Sequence, residues 1–574
     1  MSRIDLLLLH PPSVYDFRKR AIMYGPISDL IPSSPVFEMY PLGFLTMTNY
    51  LESRGLQVRI VNLALRMIND PEFDVPVFLA RLKPKAFGID LHWLPHAHGS
   101  LEVARLVKEC HPHTPVIFGG LSASYFYHEL IRYPQVDYVL RGDAIEPVLH
   151  ELLMRLQDGG PLEKVSNLVW KKDGEVQINP MNFVPEDIDY ADLAPERIIK
   201  MVMRHRDLES VLPFNGWWKN PIAAVFTVKG CAHECATCGG SCNANGILNR
   251  RWHPAFRSPQ NLVENILAIS RFSRGPIFLV GDISQGRADY ARQTLALLES
   301  ARVNNEIVFE LFSIPPPEFL PAIDRAVRNW SLELSPESHD ESLRRCQDTR
   351  AFYTNAEMEE VIAQALSLGC HRVDVYFMIG LSGQTKASVM ATVDYCGRLF
   401  QKSDPRLSCF ISPMGPFIDP GSHAFENPEK YGYRLLAQTL EEHRQMLLQP
   451  SWGQILNYET AWMSRDDMVN FTYDAAETLN RLKLQYGRID QARGCGVARR
   501  IRQARELQAR MTTGSDKTLD PGTLKALYGD IHAFSVSTVC DKRELFWRRH
   551  VVNFKWLEIL RVGLSYLREH TWAA

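Results

Sequence analysis

The chain has 574 residues, which is more than one hydrophobic core usually contains, and therefore predicts two to four domains. Hydrophobic residues make up 45% and charged residues 23%, as is ordinary for a soluble globular protein. The 64 Lys and Arg residues nearly balance the 66 Asp and Glu residues, so no basic surface field indicates nucleic acid as a partner.

Residues 1–155 alternate short apolar runs with stretches of helical apolar spacing. The runs predicted as strands are 4–9, 58–62, 86–90, 116–118 and 136–140. Strand–helix alternation of this kind predicts a doubly wound parallel sheet of the α/β class, which binds its ligands at the carboxyl ends of the strands.

The alternation stops over residues 156–220, which we interpret as a linker. Inside it, an Asp173-Gly174 turn between two short apolar runs predicts a β-hairpin. Residues 221–455 resume the alternation and predict a partial or full βα barrel. Its candidate strands are 223–228, 277–280, 306–312, 330–334, 373–379 and 407–412. Residues 456–574 have helical spacing and predict a mainly helical C-terminal domain.

Two apolar segments bear on a membrane location, and neither predicts a span. The four leucines near the start are too few for a secretory signal and fit a buried strand. The segment 551–567 carries Lys555, Glu558 and Arg561, so it predicts an amphipathic helix. Because no run approaches the roughly 18 apolar residues of a spanning helix, we expect a cytoplasmic protein without a membrane span.

Four of the eleven cysteines fall between Cys231 and Cys242. Cys231, Cys235 and Cys238 have C-x3-C-x2-C spacing just after a predicted strand, and three thiolates on one loop can hold three irons of a 4Fe–4S cluster. Zinc is the main alternative, with His233 and Cys242 nearby, although structural zinc usually takes four ligands in two pairs. Unligated loop cysteines are a third interpretation, but thiols this dense would oxidise.

This motif after the first strand of a βα barrel resembles the radical S-adenosylmethionine superfamily. The resemblance implies that Cys231, Cys235 and Cys238 hold a 4Fe–4S cluster whose open iron binds S-adenosylmethionine. It also implies a one-electron reductant of the flavodoxin or ferredoxin type and the formation of a 5′-deoxyadenosyl radical. Thr237 stands where the family often has an aromatic residue, and Cys242 lies outside the motif.

Three later segments resemble the parts of that family that bind S-adenosylmethionine. The segment 280–282 stands where the family has Gly-Gly-Glu, 333–338 resembles the polar fourth-strand segment, and 377–385 resembles the glycine-rich turn near the adenine. The residues that the resemblance implies for this cofactor are Gly281, Asp282, Glu333, Ser335, Gly380 and Leu381.

The segments 40–58, 115–124 and 136–147 resemble cobalamin-binding domains that are fused to radical S-adenosylmethionine barrels. The cobalamin-binding residues so implied are Gly119, Gly120, Ser122, Ser124 and Gly142. Paired glycines at a strand end let a large planar cofactor approach the backbone, and small hydroxyls can bond its nucleotide tail. A degenerate flavodoxin-like module without a cofactor is the alternative for this domain.

The motif that supplies a cobalt-ligating histidine in some cobalamin proteins is absent. Asp90-Leu-His92 begins like it, but Pro95 replaces the glycine and the segment follows the third strand instead of the first. We therefore expect the loop 91–98 to pack against the lower face of the corrin without a bond from His92 to cobalt.

The resemblance covers about residues 1–455 and implies a cobalamin-dependent radical enzyme, most simply a C-methyltransferase that acts on an unactivated carbon. A radical cyclisation or rearrangement, with no methyl transfer from cobalamin, is the second hypothesis; a non-enzymatic redox or zinc protein is the third. The expected substrate is a small molecule of natural-product or lipid type. The loop 412–428, with Asp419 and His423, is interpreted either as a substrate-binding lid or as a rigid structural loop.

Overall fold

The computed structural model describes residues 4–20, 22–23, 25–26, 34–347, 352–402, 404–513, 539–547 and 552–571. Two sheets organise this part of the chain, and each has its own buried apolar core.

The N-terminal sheet is an open, mainly parallel sheet. Its strands are β1 (Leu6–His10), β2 (Val58–Asn62), β3 (Phe87–Asp90), β4 (Val116–Gly119), β5 (Tyr138–Leu140), β6 (Leu168–Lys172) and β7 (Glu175–Ile178). Their spatial order is β2-β1-β3-β4-β5-β6-β7, with β1 to β5 parallel. Strand β1 is buried along its whole length because helices cover both faces of the sheet, which explains its unbroken run of leucines.

Eight helices pack around this sheet in the described residues. They are α1 (Gly43–Glu52), α2 (Leu63–Asn69), α3 (Val75–Ala80), α4 (Ala97–Cys110), α5 (Leu121–Tyr125), α6 (Tyr127–Leu130), α7 (Glu146–Asp158) and α8 (Pro195–His205). Polar side chains set several of the starts: Asn62 accepts a hydrogen bond from the Leu65 amide, and Asp74 does the same for Val77. The predicted doubly wound sheet is confirmed.

Part of the segment interpreted as a linker belongs to this sheet. The predicted hairpin is present, with Asp173 (φ 51°) and Gly174 (φ 87°) in the left-handed region, as a tight hairpin turn requires. Strand β6 pairs antiparallel with β5, so the hairpin extends the sheet. Pairing with an edge strand is a long-range contact, which local residue patterns do not reveal. The domain boundaries themselves stay a prediction.

The second sheet is a partial βα barrel. The strands between residues 223 and 413 are β8 (Ala223–Phe226), β9 (Val228–Lys229), β10 (Ala255–Phe256), β11 (Ile277–Val280), β12 (Ile307–Leu311), β13 (Trp330–Glu337), β14 (Val373–Ile379) and β15 (Leu407–Pro413). Six of them form a parallel sheet in the order β8-β11-β12-β13-β14-β15, while β9 and β10 pair separately. Within the described ranges, β8 and β15 do not pair with each other, so the barrel stays open.

Helices cover the outside of this barrel. Helix α9 (Cys242–Asn249) instead packs on α5 of the N-terminal domain, and the outer helices are α10 (Pro259–Ser270), α11 (Ala288–Ala301), α12 (Phe319–Ala326), α13 (Glu341–Gln347), α14 (Asn355–Ser367) and α15 (Lys386–Lys402). The helix α14 begins with a reciprocal capping box between Thr354 and Glu357.

The remaining described residues are mainly helical, as predicted for the C-terminal part of the chain. Its elements are α16 (His423–Glu426), β16 (Tyr433–Leu435), α17 (Leu440–Met446), α18 (Trp452–Ile455), β17 (Tyr458–Thr460), α19 (Arg465–Gln485), α20 (Gln491–Thr513) and α21 (Trp556–Thr571). Helix α19 packs on α15 and β15, whereas α21 packs on α8. None of the helices in the described residues combines the length and the apolar character needed to cross a bilayer.

Candidate functional site

A cavity of about 1620 Å³ lies between the carboxyl edges of the two sheets. On the N-terminal side it is bordered by His10 and Gly119, at the ends of β1 and β4. On the barrel side it is bordered by Gly281, Phe312 and Pro413, at the ends of β11, β12 and β15. Parallel sheets bind ligands at this edge, so the fold turns both of its ligand-binding edges towards one space.

The glycines predicted for cobalamin border this cavity. Gly119, Gly120 and Gly142 all line it, and a Cβ atom on Gly120 would lie 2.5 Å from the Cα of His92. Gly120 also has a φ of 118°, which side chains rarely allow. The turn after β4 therefore lies against the loop after β3, and bare backbone faces the cavity, as a flat cofactor requires.

Ser122 and Ser124 do not line the cavity. The Ser124 hydroxyl donates to the carbonyl of Gly120 at 2.9 Å and accepts from the Gly142 amide at 2.9 Å. The Ser122 amide donates to the carbonyl of His92 at 3.2 Å. Both serines thus connect the loops that border the cavity, and their contact with a nucleotide tail stays a prediction.

A buried histidine cluster, which the sequence analysis missed, lies at the same edge. His10 Nδ1 lies 3.0 Å from Asp90 Oδ1, and His10 Nε2 lies 2.9 Å from the carbonyl of Phe37. Burial disfavours the charged ring, but the charge and hydrogen bond of Asp90 outweigh it and raise the pKa of His10. The carbonyl of Phe37 also accepts from His96 Nε2 at 2.9 Å. The sequence signal for this cluster was His10, a polar residue at the carboxyl end of the otherwise apolar strand β1.

The loop 91–98 faces the cavity through His92, Trp93 and His96. Burial lowers the pKa of His92 to about 4, so its imidazole is neutral at neutral pH. The loop therefore presents an uncharged surface to the cavity, and its packing against a corrin stays a prediction.

The cysteine loop borders the cavity from the barrel side. Cys231 and Cys238 line it, and backbone amides point at both sulfurs, from His233 to Cys231 at 3.4 Å and from Gly240 to Cys238 at 3.2 Å. Amide hydrogen bonds of this kind tune the sulfur ligands of iron–sulfur clusters. Three thiols on one loop are the donor set that an iron–sulfur cluster takes, so the residues fit this group.

In the described part of the chain, no group of three or more His, Cys, Asp or Glu side chains has metal-binding geometry. A metal normally draws its thiolates together as it binds. Cys242 begins α9 and its thiol donates to the carbonyl of Trp252 at 3.2 Å, outside the cavity lining.

The loop 412–428 packs against the cysteine loop. Asp419 Oδ2 accepts from the Gly239 amide at 3.0 Å, and the Ala424 amide donates to the carbonyl of Ala236 at 2.8 Å. His423 Nε2 lies 3.2 Å from Glu234 Oε2. Asp419 and His423 do not line the cavity, whereas Ser412, Pro413 and Met414 at the start of this loop do, so the choice between a lid and a rigid structural loop stays a prediction.

Three of the six residues predicted for S-adenosylmethionine line the cavity, namely Gly281, Glu333 and Ser335. The Asp282 carboxylate is fully buried, where it accepts from the amides of Ser284 at 2.7 Å and Phe312 at 3.0 Å, so it shapes the turn.

Gly380 and Leu381 lie outside the cavity lining. The Gly380 amide donates to Gln384 Oε1 at 2.8 Å, and a Cβ atom on Gly380 would lie 2.6 Å from the hydroxyl of Tyr458. The glycine-rich turn therefore packs against the C-terminal part of the chain.

Two further residues were missed at this edge. Gln285 Oε1 accepts from the Ala232 amide at 3.1 Å, and its buried Nε2 has no hydrogen-bond partner in the described residues. Glu310 Oε2 accepts from the Gly281 amide at 3.0 Å, and burial raises its pKa to about 7. Acids at matching positions of β12 and β13, Glu310 and Glu333, were the signal that was available in the sequence.

We expect Glu310→Gln to stabilise the cofactor-free chain at pH 8 more than at pH 5. The unfolded carboxyl ionises near 4.5 and the folded one near 7, so the folded state loses stability as the pH rises between these values. Since the group borders the cavity, we expect a gain of about 2 kcal/mol at pH 8, below the full linkage value. Gln keeps an acceptor for the Gly281 amide.

The difference in Tm between variant and wild type at the two pH values measures this effect. Glu175→Gln, at an exposed position of strand β7, is the control, and we expect it to change Tm little because its side chain has no buried contacts to lose. An equal gain of Glu310→Gln at both pH values would contradict the assignment.

Two family models match the chain. The model for the B12 binding domain matches residues 30–150, and the model for the radical SAM superfamily matches residues 225–396. The first match contains the turn at Gly119 and Gly120, and the second contains the cysteine loop.

A curated relative is the anaerobic magnesium-protoporphyrin IX monomethyl ester cyclase of Synechocystis sp., which is 23% identical over 280 residues. The match covers 48% of this chain and 49% of that protein, so the chain spans about half the length of the curated relative it matches.

Solved structures of similar fold include TsrM from Kitasatospora setae, a radical S-adenosylmethionine methyltransferase solved with tryptophan substrate and aza-SAM. It has a TM-score of 0.61 and 15% identity, over 86% of this chain and 90% of that chain. The cobalamin-dependent S-adenosylmethionine radical enzyme OxsB, with aqua-cobalamin and S-adenosylmethionine bound, has a TM-score of 0.53 and 12% identity. The match covers 99% of this chain and 80% of that chain. At these identities, the likeness shows the shared fold.

The two family matches fall on the two halves of the cavity. The domains they identify use cobalamin on one side, and a 4Fe–4S cluster with S-adenosylmethionine on the other. The chain therefore belongs to the cobalamin-binding radical S-adenosylmethionine enzymes, in which a B12 binding domain precedes a radical SAM barrel.

Proposed function

We propose that the chain is a C-methyltransferase that acts on an unactivated carbon of a substrate held between its two cofactors. One observation carries the proposal: a single cavity joins Gly120 at the edge of the first sheet to Cys231 and Gly281 at the edge of the second. When bound, the cluster with S-adenosylmethionine supplies hydrogen-atom abstraction, and the corrin supplies the methyl group.

The chain's own residues position the reactants and exclude water. In this proposal Cys231, Cys235 and Cys238 hold the cluster, and the turn at Gly119 and Gly120 holds the corrin. Gly281, Glu333 and Ser335 hold S-adenosylmethionine where they line the cavity. Phe226, Val228, Phe278 and Phe312, which also line it, keep this region apolar. Apolar walls beside the reacting carbon hold it in place and limit side reactions with water.

A cyclisation or rearrangement without methyl transfer is the second candidate. The magnesium-protoporphyrin cyclase match favours it, since that relative is named for a ring closure. The same cavity serves either reaction, because both begin with a substrate carbon that lies next to the cysteine loop, where the cluster would bind. What separates them is the fate of the methyl group of S-adenosylmethionine.

Turnover with S-adenosylmethionine that is deuterated in its methyl group tests the proposal. For methyl transfer, we expect each turnover to yield one 5′-deoxyadenosine, one S-adenosylhomocysteine and one product that carries the labelled methyl. Reactions with unlabelled S-adenosylmethionine and reactions without substrate are the controls, and mass spectrometry follows all three species. Product that forms together with 5′-deoxyadenosine but carries no label would establish the cyclisation or rearrangement instead.

A further inference from the structure

The part of the cavity between α8 and α21 has apolar walls. We define this apolar vestibule by six lining residues: Ile198, Val202, Trp218, Trp556, Leu560 and Leu564. We propose that the vestibule binds the hydrocarbon body of the substrate, so that the enzyme acts on an isoprenoid or fatty-acyl lipid. This inference rests on the proposed function, because it names the substrate class of the same site.

Helix α21 presents large apolar side chains to the vestibule instead of packing them into a core. Trp556, Leu560 and Leu564 line the cavity yet remain 51%, 58% and 57% exposed. Their spacing of four residues places them on one face of the helix. On another face, Val562 and Tyr566 are buried. Single exposed leucines are common, but a continuous apolar patch of this kind marks a binding surface.

Aromatic rings make one wall of the vestibule flat and rigid. The rings of Trp218 and Trp556 stack with an interplanar angle of 17° and a centroid distance of 6.4 Å. Phe554 lies edge-on against Trp218 at 4.7 Å and also contacts Trp217. Tryptophans have few rotamers to lose when a ligand binds and offer a large apolar contact area.

Charged groups are nearly absent from the vestibule walls. Among the described lining residues between 193 and 224, the one charged side chain is Arg197, and its guanidinium donates to Asn49 Oδ1 at 2.7 Å. The described lining residues between 545 and 567 contribute no charged side chain. A polar ligand would lose its hydration here without new hydrogen bonds, whereas a hydrocarbon would gain from leaving water.

The vestibule is continuous with the site of the chemistry. Strand β8 lines the cavity at Ala223, Ala224 and Phe226, and the chain then enters the cysteine loop at Gly230 and Cys231. A long apolar chain that lies in the vestibule can therefore place one of its carbons between the two cofactor edges. The cavity volume of about 1620 Å³ exceeds that of an ordinary small-ligand pocket, which is roughly 300–1,000 Å³. A site that holds two cofactors and a bulky substrate needs this larger volume.

Equilibrium dialysis of the reconstituted holoenzyme tests the inference, with tritiated farnesol and tritiated palmitate as probes in separate arms. We expect saturable binding of at least one probe, and the tighter of the two identifies an isoprenoid or a fatty-acyl source. In the double variant Leu560→Glu/Leu564→Glu, we expect the affinity to fall at least about tenfold, since two carboxylates would border the bound hydrocarbon. Val202→Glu, on the opposite wall, should act in the same direction.

Leu557→Glu is the matched control. Leu557 lies on the same helix and is 72% exposed, but it does not line the cavity, so we expect a change of less than about twofold. Circular dichroism and cobalamin content show whether each variant folds.

Three results would overturn the inference. These are that neither probe binds the wild type, that the control Leu557→Glu loses as much affinity as the double variant, or that the double variant Leu560→Glu/Leu564→Glu binds the probes as the wild type does. Flotation with phosphatidylglycerol vesicles provides the remaining arm. If the double variant loses vesicle binding but keeps probe binding, α21 is a membrane contact and the vestibule assignment is wrong. A failure of methyl transfer in the labelling experiment would leave the binding result intact, so the two proposals fail separately.

Discussion

Each of the three single variants Cys231→Ala, Cys235→Ala and Cys238→Ala should abolish the reductive cleavage of S-adenosylmethionine. Three protein thiolates ligate three of the four irons and leave the fourth open for the cofactor, so the loss of any one of them removes the cluster or its geometry. We expect about four irons per wild-type chain after anaerobic reconstitution and far fewer in each variant. Iron content and the yield of 5′-deoxyadenosine measure the effect.

Cys242→Ala is the matched control, because Cys242 belongs to the same loop region but its thiol donates to the carbonyl of Trp252, outside the cavity lining. We expect this variant to keep its iron and its cleavage activity. Stoichiometric zinc without iron in the reconstituted wild type would overturn the assignment, and equal losses in all four variants would show that Cys242 is also needed.

Gly120→Ala should weaken cobalamin binding at least about tenfold, a second large effect. The added Cβ atom would lie 2.5 Å from the His92 Cα and 2.6 Å from the His92 nitrogen, which is closer than a Cβ atom approaches unbonded atoms. Backbone cannot rotate aside as a flexible side chain does, so the turn after β4 and the loop 91–98 must separate. Both border the cavity where we place the corrin. Titration of the reconstituted chain with cobalamin, followed by its visible absorbance, measures the affinity.

Gly174→Ala separates this clash from backbone strain alone. Gly174 also has a positive φ, 87°, but a Cβ atom there meets nothing within 4 Å. We expect near wild-type cobalamin binding in this variant. Equal losses in both variants would indicate a general loss of stability, and full binding by Gly120→Ala would place the corrin elsewhere.

Local sequence patterns determined most of the strands. The bounds of β2, β11 and β14 agree with the predicted runs, because each run is apolar and is closed by a turn or helix-capping residue such as Asn62, Gly281 or Gly380. The cysteine spacing likewise needs no tertiary information, since three ligands on one short loop are close in space for any fold of the rest. The resemblance to the family rested on short motifs of the same kind, including the segments 115–124 and 377–385.

Contacts between distant segments were not predictable in the same way. The hairpin β6–β7 was predicted, but its pairing with β5 was not, because an edge strand accepts a partner from anywhere in the chain. The packing of the loop 412–428 against the cysteine loop, through hydrogen bonds such as that from the Gly239 amide to Asp419, is a contact of this kind.

The sequence by itself thus determined the two domain types, the order of the strands along the chain and the three candidate ligands on the cysteine loop, since each depends on residues that are neighbours in the chain. Only the tertiary structure decided which side chains face the cavity. Ser124 and Asp282 turned out to brace loops, whereas Glu310 and Leu564 turned out to line the cavity. The physical reason is that a side chain's surroundings depend on how two sheets and a distant helix pack, and local periodicity carries no information about that packing.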